Sequence, residues 1–350
     1  MLQPFTDQSL HVPQESGWDD HLSFSYRETD ALWLSRWTKS NWEPGQLYEH
    51  QRATLELSPG ANVLYYGQGI FEGLKARRTQ SQNIVLFRPR DNAARLRASA
   101  ARLAMPAPSV AAFMDAILAV VQANARWVPG YGKGSLYIRP VLIGSGPVLG
   151  VAPAEEYLFY VFACPVGTYM GGDRAIVLSH AHRAAPYGTG AAKAAGNYAA
   201  SLRPHAVAQE LGYTDALYLD AREDKYVEEL GAANFFAILK DGTLVTPQLG
   251  SILPGYTRDS ILTLARDLFG WIAVERQLSI DEVLDDAVEA FYTGTAAVLS
   301  PITTINYRGI DHPISDGKPG PRAQMLLQAL KEIQLQERPD EWGWVMDVSV

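Results

Sequence analysis

PVGTYMGGDR, residues 165–174, follows directly on the apolar run YLFYVFAC at 157–164. A proline and three glycines placed at the end of a strand rich in aromatic and β-branched residues mark a crossing between lobes. The chain has 350 residues, more than twice the roughly 150 of an average domain, so two lobes are expected. The crossing divides them into a small N-terminal α+β domain (1–164), a linker (165–177) and a larger C-terminal domain (178–350).

Upstream, SLYIRPVLIG (135–144) reads as a second strand, and residues 110–126 carry apolar side chains at helical spacing. From Ala61 the pattern predicts strand (NVLYY), glycine-punctuated turn, strand (84–87), and a helix opening at Asp91 as N-cap. The first 60 or so residues read as irregular, with short strands covering a later sheet. Downstream, the pattern predicts a helix at 194–211 and a strand at 215–219. A hairpin with the two-residue turn Asp241-Gly242 follows, then a helix from Thr257 to Phe269, the strand WIAVERQL, a short acidic helix at 280–287, the strand EAFYTGTAAVLS and a last helix from about 320.

Apolar residues make up 47% and charged residues 19% of the chain, which favours a compact globular protein over disorder, and the mixed helices and strands make it α+β. The net charge of -8, with basic residues dispersed among acidic ones, argues against nucleic acid and anionic membrane as partners. No apolar run reaches the roughly 18 residues of a membrane span, and the start MLQPFTDQSLHVPQE lacks a basic and an apolar region; a cytoplasmic location is expected. Cys164, the single cysteine, sits in an apolar strand and reads as a buried reduced thiol.

An amine that attacks carbonyls must be neutral, which requires a setting that lowers a lysine from about 10.4 toward neutrality. Lys39, Lys225, Lys240, Lys318 and Lys331 have polar, turn or loop contexts and read as solvated. Lys75 has Glu72 three residues before it, which suggests an ion pair, and Lys133 reads as a loop tip. Lys193, in GTGAAKAAGNY (188–198), is flanked by glycine and alanine, which leave room for a planar ring and supply no carboxylate. Further candidate groups are spread along the chain. Glu228 and Glu229 adjoin in a strand, where alternation turns one of them inward to a cationic partner. Arg88 closes a strand, Thr257 opens a helix after LPGY, and Thr295 lies in a Gly-Thr-Ala turn, all suited to an anion. Tyr137 and Arg139 share one face of SLYIRP, where a guanidinium in apolar surroundings calls for a carboxylate. His180 and His182 in VLSHAHR raise a metal-dependent hydrolase, but no third ligand accompanies them, and no metal is expected.

YYGQGIFEGLKA, LFRP, SLYIRP, VGTYMGG, KAAGNYAASL, EELGAANFF, ILPGYTR and TGTAAV occur in this order from about Val63 onward. Together they resemble the branched-chain amino acid aminotransferases of the class IV aminotransferase family, two-lobed enzymes of pyridoxal-phosphate fold type IV, the D-amino-acid aminotransferase-like fold. The resemblance implies pyridoxal 5'-phosphate as cofactor, held in the C-terminal domain and in the cleft, with Lys193 carrying it as a Schiff base and moving the proton. Tyr198 would bond the ring's phenolic oxygen and Glu229 the pyridine nitrogen, while Arg88, the Tyr256 amide, Thr257 and Thr295 would hold the phosphate. Tyr66, Phe71 and Tyr137 would wall the substrate pocket, the amides of Thr295 and Ala296 would take the α-carboxylate, and Arg139 the γ-carboxylate of glutamate. It further implies a reversible ping-pong transfer from leucine, isoleucine or valine to 2-oxoglutarate, in a homodimer. D-amino-acid transaminases and aminodeoxychorismate lyases share the fold and its lysine and glutamate; YIRP with YYGQGIFEG favours the branched-chain reading. Ala232 departs from relatives with threonine there, and TGTAAVLSP has no paired cysteines, so thiol redox control is not expected.

Overall fold

A computed structural model describes residues 2–6, 17–38, 40–167, 172–178 and 181–349. Two compact units emerge: Met1–Tyr169 with Ala192–Ala195 and Ile333–Val350, and Met170–Ala191 with Gly196–Glu332. Both mix helices and sheet, in keeping with the expected α+β class.

Among the described residues the first unit is built on a nine-stranded sheet. Its centre is the pair Ser135–Gly144 and Tyr157–Val166, in unbroken antiparallel register from Ser135↔Val166 to Gly144↔Tyr157. Leu74–Arg78, Ile84–Phe87 and the C-terminal Val345–Val348 extend it on one side, and Ala31–Thr38 on the other. Because side chains alternate along a strand, each face collects its own set. Leu74, Ala76, Leu136, Ile138, Leu142, Phe159 and Val161 pack against Leu96, Phe113, Ile117 and Val121 of the helices Pro89–Arg102 and Val110–Ala123. The opposite face carries Lys75, Tyr137, Arg139, Tyr160, Phe162 and Cys164, in register as Lys75↔Tyr137, Tyr137↔Cys164 and Arg139↔Phe162.

The second unit has a ten-stranded mixed sheet among the described residues. Ala233–Leu239 pairs antiparallel with Val227–Leu230, Leu244–Pro247 and Ala287–Gly294, while Arg174–Ile176 pairs in parallel with Asp215–Leu219 and Thr304–Tyr307. Phe235, Ala237, Leu217, Leu219, Tyr292 and Ile305 fill its core with Ile280 and Val283 of the helix Ile280–Asp286.

Several expectations are corrected. The first 60 residues do not merely cover a sheet: Ala31–Thr38 is one of its strands, paired with Tyr157–Val166. Asn62–Tyr65 is a helical turn, fixed by Asn62, whose amide nitrogen donates to Ala152 O and whose backbone N–H donates to Gly146 O; tertiary bonds override the β preference of Val and Tyr. The next helix starts at Pro89, with Arg88 in the left-handed region (φ 53°) as N-cap; Asp91 lies in the first turn and takes an ion pair from Arg88 at 2.5 Å. Glu72 pairs with Arg95 at 2.7 Å and not with Lys75, because Leu74–Arg78 is a strand that turns Lys75 to the other face. At the Asp241-Gly242 hairpin the loop has one residue more than expected: Leu239 N–H bonds Thr243 O and Gly242 takes φ 86°. EAFYTGTAAVLS is a hairpin, Ala287–Gly294 with Val298–Ile302, turning at Thr295. The strand Val345–Val348 and the hairpin Thr304–Tyr307 with Ile310–Pro313 carry no strong sequence signal.

Candidate functional site

In the first unit the exposed sheet face bounds a cavity of about 430 Å³, walled by Phe71, Tyr137, Tyr160, Phe162, Cys164 and Tyr26, with Arg139 as its guanidinium. Lys193, expected within 178–350, groups with this unit. Its N–H donates to Ser99 Oγ at 2.9 Å, its carbonyl accepts from Phe71 N–H at 3.1 Å, and Ala194 bridges Ile70. These backbone bonds fix the stem, so the side chain is aimed: Nζ stands 4.9 Å from the Phe71 ring centroid. The same ring carries the Arg139 guanidinium at 4.7 Å. One aromatic ring therefore lies beside both the amine and the guanidinium. Lys193 also faces Glu72, which is fully buried. Burial alone would raise the Glu72 carboxyl, but the Arg95 ion pair, the field of Lys193 and the bond from Asn92 hold it below the ordinary carboxylate range.

The second unit supplies a buried carboxylate. Glu229 is 2% exposed; its Oε1 accepts from Asn234 Nδ2 at 2.8 Å and from Leu253 N–H at 3.1 Å, and Oε2 lies 2.6 Å from Arg183 Nε. Arg183 is the cationic partner that a buried carboxylate requires. Glu228, expected to face solvent if Glu229 faces inward, is also buried and bonds the Ser251 hydroxyl. Burial pushes its carboxyl up, against the Ser251 bond and the Arg183 charge. All four residues of Val227–Leu230 are buried, so both faces of the strand are covered, which alternation alone does not reveal.

The remaining candidates are placed as follows. Thr257 is buried in the first turn of Tyr256–Thr263, after Gly255. Thr295 and Ala296 form the turn between two strands, and Val298, which closes it, takes φ 61°, a genuine outlier for a β-branched residue. Tyr198 is half-buried in the first turn of Ala195–Glu210. Tyr66 does not line the cavity; it is 42% exposed and its hydroxyl donates to Leu149 O at 2.9 Å. Arg88 is held against Asp91 and over the Trp344 ring at 5.3 Å. His182 contacts Leu219 O at 3.3 Å; His180 lies outside the described residues. Sequence reasoning missed Arg183, Asn234, Ser99 and Arg95. Of these Asn234 had a usable signal, a lone amide in the apolar strand ANFFAIL.

The donor chemistry fits a phosphorylated pyridine aldehyde. An aimed amine, a buried carboxylate and a helix start with a buried threonine are each present within one unit or the other. An observation in the second unit adds to this: Glu229, Asn234 and Thr293 lie in one cross-strand row, and the buried Thr293 Oγ1 finds no partner among the described residues. An orphaned buried hydroxyl next to the amide that holds a buried carboxylate is a place for a polar ligand.

A model of the class IV aminotransferases matches residues 69–305, and the chain belongs to this family, whose members depend on pyridoxal phosphate. Within it, the chain is 46% identical over 336 residues to branched-chain amino acid aminotransferase 2, chloroplastic, of Humulus lupulus, covering 94% of this chain and 81% of the relative. It is 42% identical over 340 residues to the branched-chain-amino-acid aminotransferase of Haemophilus influenzae, covering 94% and 98%. Among solved structures, the branched-chain amino acid aminotransferase from Escherichia coli superposes with TM-score 0.77 at 31% identity, covering 92% of this chain and 100% of that one.

Proposed function

We propose that the protein is a pyridoxal-phosphate-dependent transaminase that moves the amino group of leucine, isoleucine or valine to 2-oxoglutarate, reversibly and by a ping-pong course. The observation that carries this reading is the cavity that shares the Phe71 ring with Lys193, lined mainly by apolar and aromatic side chains and carrying Arg139. An apolar side chain finds hydrocarbon walls there, and a second carboxylate finds a guanidinium in place of an unpaired burial.

The bound cofactor supplies a ring that accepts the electron pair left at the substrate Cα. Lys193 would hold the cofactor through Nζ, and the same Nζ would serve as the base and acid that moves the Cα proton. The Ser99 and Phe71 backbone bonds keep that amine aimed through both roles. Glu229, held by Asn234 and Leu253 N–H, would keep a proton on the pyridine nitrogen. Tyr198 donates to the phenolic oxygen. Arg88, the Tyr256 amide, Thr257 and Thr295 would hold the phosphate. Phe71 and Tyr137 wall the pocket, and the Thr295 and Ala296 amides would orient the α-carboxylate.

The division into domains 1–164 and 178–350 joined by 165–177 belongs to the same proposal, as does a homodimer. Leu149 and Val151, 93% and 90% exposed on one loop, form an aliphatic tip that a second copy would cover; light scattering reads the mass. No helix of the described residues is long and apolar enough to cross a membrane. The buried, unpaired Cys164 suits a reducing compartment such as the cytoplasm.

The test mixes purified, cofactor-loaded protein with L-leucine and then 2-oxoglutarate and follows near-ultraviolet and visible absorbance. Leucine is expected to bleach the visible band and 2-oxoglutarate to restore it. Bleaching by D-alanine and not by leucine would move the protein to the D-specific branch.

A further inference from the structure

Tyr26 lines the same cavity and the buried His50 lies behind it, both outside every motif that marks the family resemblance. His50 is 3% exposed and anchored by its backbone N–H to Asp30 O at 2.9 Å. Its ring contacts fix its tautomer. The Thr29 backbone N–H points at Nδ1 at 3.1 Å, and an amide N–H has nothing to offer but a proton, so Nδ1 is an acceptor. The Thr29 hydroxyl proton goes to Ala163 O at 3.0 Å. The neutral imidazole therefore carries its hydrogen on Nε2, which lies 3.1 Å from Tyr26 Oη. Burial lowers the His50 pKa from 6.5, against the pull of Glu28, so the ring is neutral at pH 7.

It follows that Nε2–H donates and Tyr26 Oη accepts. The phenol's own hydrogen is left over, and among the described residues it has no acceptor. Burial, Glu28 and Cys164 raise the Tyr26 phenol above its ordinary value, so that hydrogen is retained. The exposed ring meets His50 and Phe162 edge-on, each 6.0 Å away by centroid, and it lines the cavity that holds Arg139.

We propose that His50 fixes Tyr26 as a hydrogen-bond donor into this cavity, where Tyr26 takes an oxygen of the distal carboxylate of the dicarboxylate substrate alongside Arg139. The inference rests on the transaminase reading above and deepens it: Tyr26 is a specificity residue for 2-oxoglutarate and glutamate, and His50 is its positioning residue. An aliphatic side chain offers the donor no acceptor, so the branched-chain half of the reaction gains nothing from it.

The experiment is steady-state kinetics on the holoenzyme with leucine and 2-oxoglutarate each varied, for wild type, Tyr26→Phe, His50→Leu and His50→Gln. A hydrogen bond to a charged group sets the scale: Tyr26→Phe is expected to raise KM for 2-oxoglutarate about tenfold and KM for leucine less than about twofold. His50→Leu should reproduce that split. His50→Gln should largely restore wild-type values, because a glutamine oxygen accepts from Thr29 N–H and its amide donates to Tyr26. Tyr26→Phe, which removes one oxygen from a residue that is 65% exposed, does not endanger folding and so keeps the test decisive. An unchanged KM for 2-oxoglutarate in Tyr26→Phe, or equal rises for both substrates, overturns the inference while the transaminase reading stands. A wild-type holoenzyme that transfers nothing between leucine and 2-oxoglutarate overturns both.

Discussion

Replacing Glu72 by Gln tests how the floor beneath Lys193 is held. The carboxylate is 0% exposed and takes Arg95 Nε at 2.7 Å and Nη2 at 2.8 Å in a fork, with Asn92 Nδ2 at 2.8 Å. Arg95 is 6% exposed, so a neutral partner leaves a guanidinium charge with no water to receive it. Breaking a buried pair from one side costs about 3–5 kcal/mol, whereas replacing both partners by apolar groups is neutral or stabilising by about 1–4 kcal/mol. Glutamine still accepts one bond, so about 3 kcal/mol is expected for Glu72→Gln, and no loss for Glu72→Met with Arg95→Met. Urea denaturation read by tryptophan fluorescence suits this measurement. Trp18, Trp33, Trp37, Trp42, Trp127, Trp342 and Trp344 lie in the first unit and Trp271 in the second, so the signal reports mainly on the unit that is perturbed. The pH dependence has a definite sign. The folded Glu72 carboxyl is depressed below 4.5, so its contribution is complete above the unfolded pKa and is lost as pH falls through the folded one. The gap between wild type and Glu72→Gln should be flat near neutrality and close only in acid. A gap under about 1 kcal/mol at pH 7, or one that persists unchanged into strong acid, would refute the reasoning.

Lys193→Ala should retain the fold and lose nearly all transamination, with no covalent cofactor left after chemical reduction; substantial residual turnover would sink the assignment. Gly255→Ala drives a methyl into Asn234 Oδ1, and because Asn234 holds Glu229, cofactor affinity measured by equilibrium dialysis should fall by about tenfold or more. Ser109→Ala removes the oxygen that accepts from Ala112 N–H at 3.1 Å and should cost about 1 kcal/mol by urea denaturation with kinetics unchanged.

The parts of the fold that were legible are those where a local period coincides with burial. Ser135–Gly144 and Asp215–Leu219 match the predicted limits, and Val110–Ala123 starts after its Ser109 cap and shows its apolar face to the sheet. Elements whose reason for existing is distant were not. Ala31–Thr38 is a strand because Tyr157–Val166 offers it an edge, and Val345–Val348 because Ile84–Phe87 does. Neither carries more local signal than a loop with aromatic residues, since pairing across more than a hundred residues leaves no mark in a short window.

The candidate site divides along a different line. Residues that carry unusual chemistry announce themselves by contrast with their neighbours: a lysine among glycines and alanines, or an arginine in an apolar strand. The residues that fix them do so through backbone or through long-range partners, and their side chains look ordinary in sequence. Ser99 is a helix serine until its hydroxyl meets Lys193 N–H, and Arg183 is one arginine of many until Glu229 lies 2.6 Å away. His50 is the extreme case. Its role comes from a proton count that needs three contacts from Thr29 and Tyr26 at once, so a sequence can show which groups could react but not which way their hydrogens point.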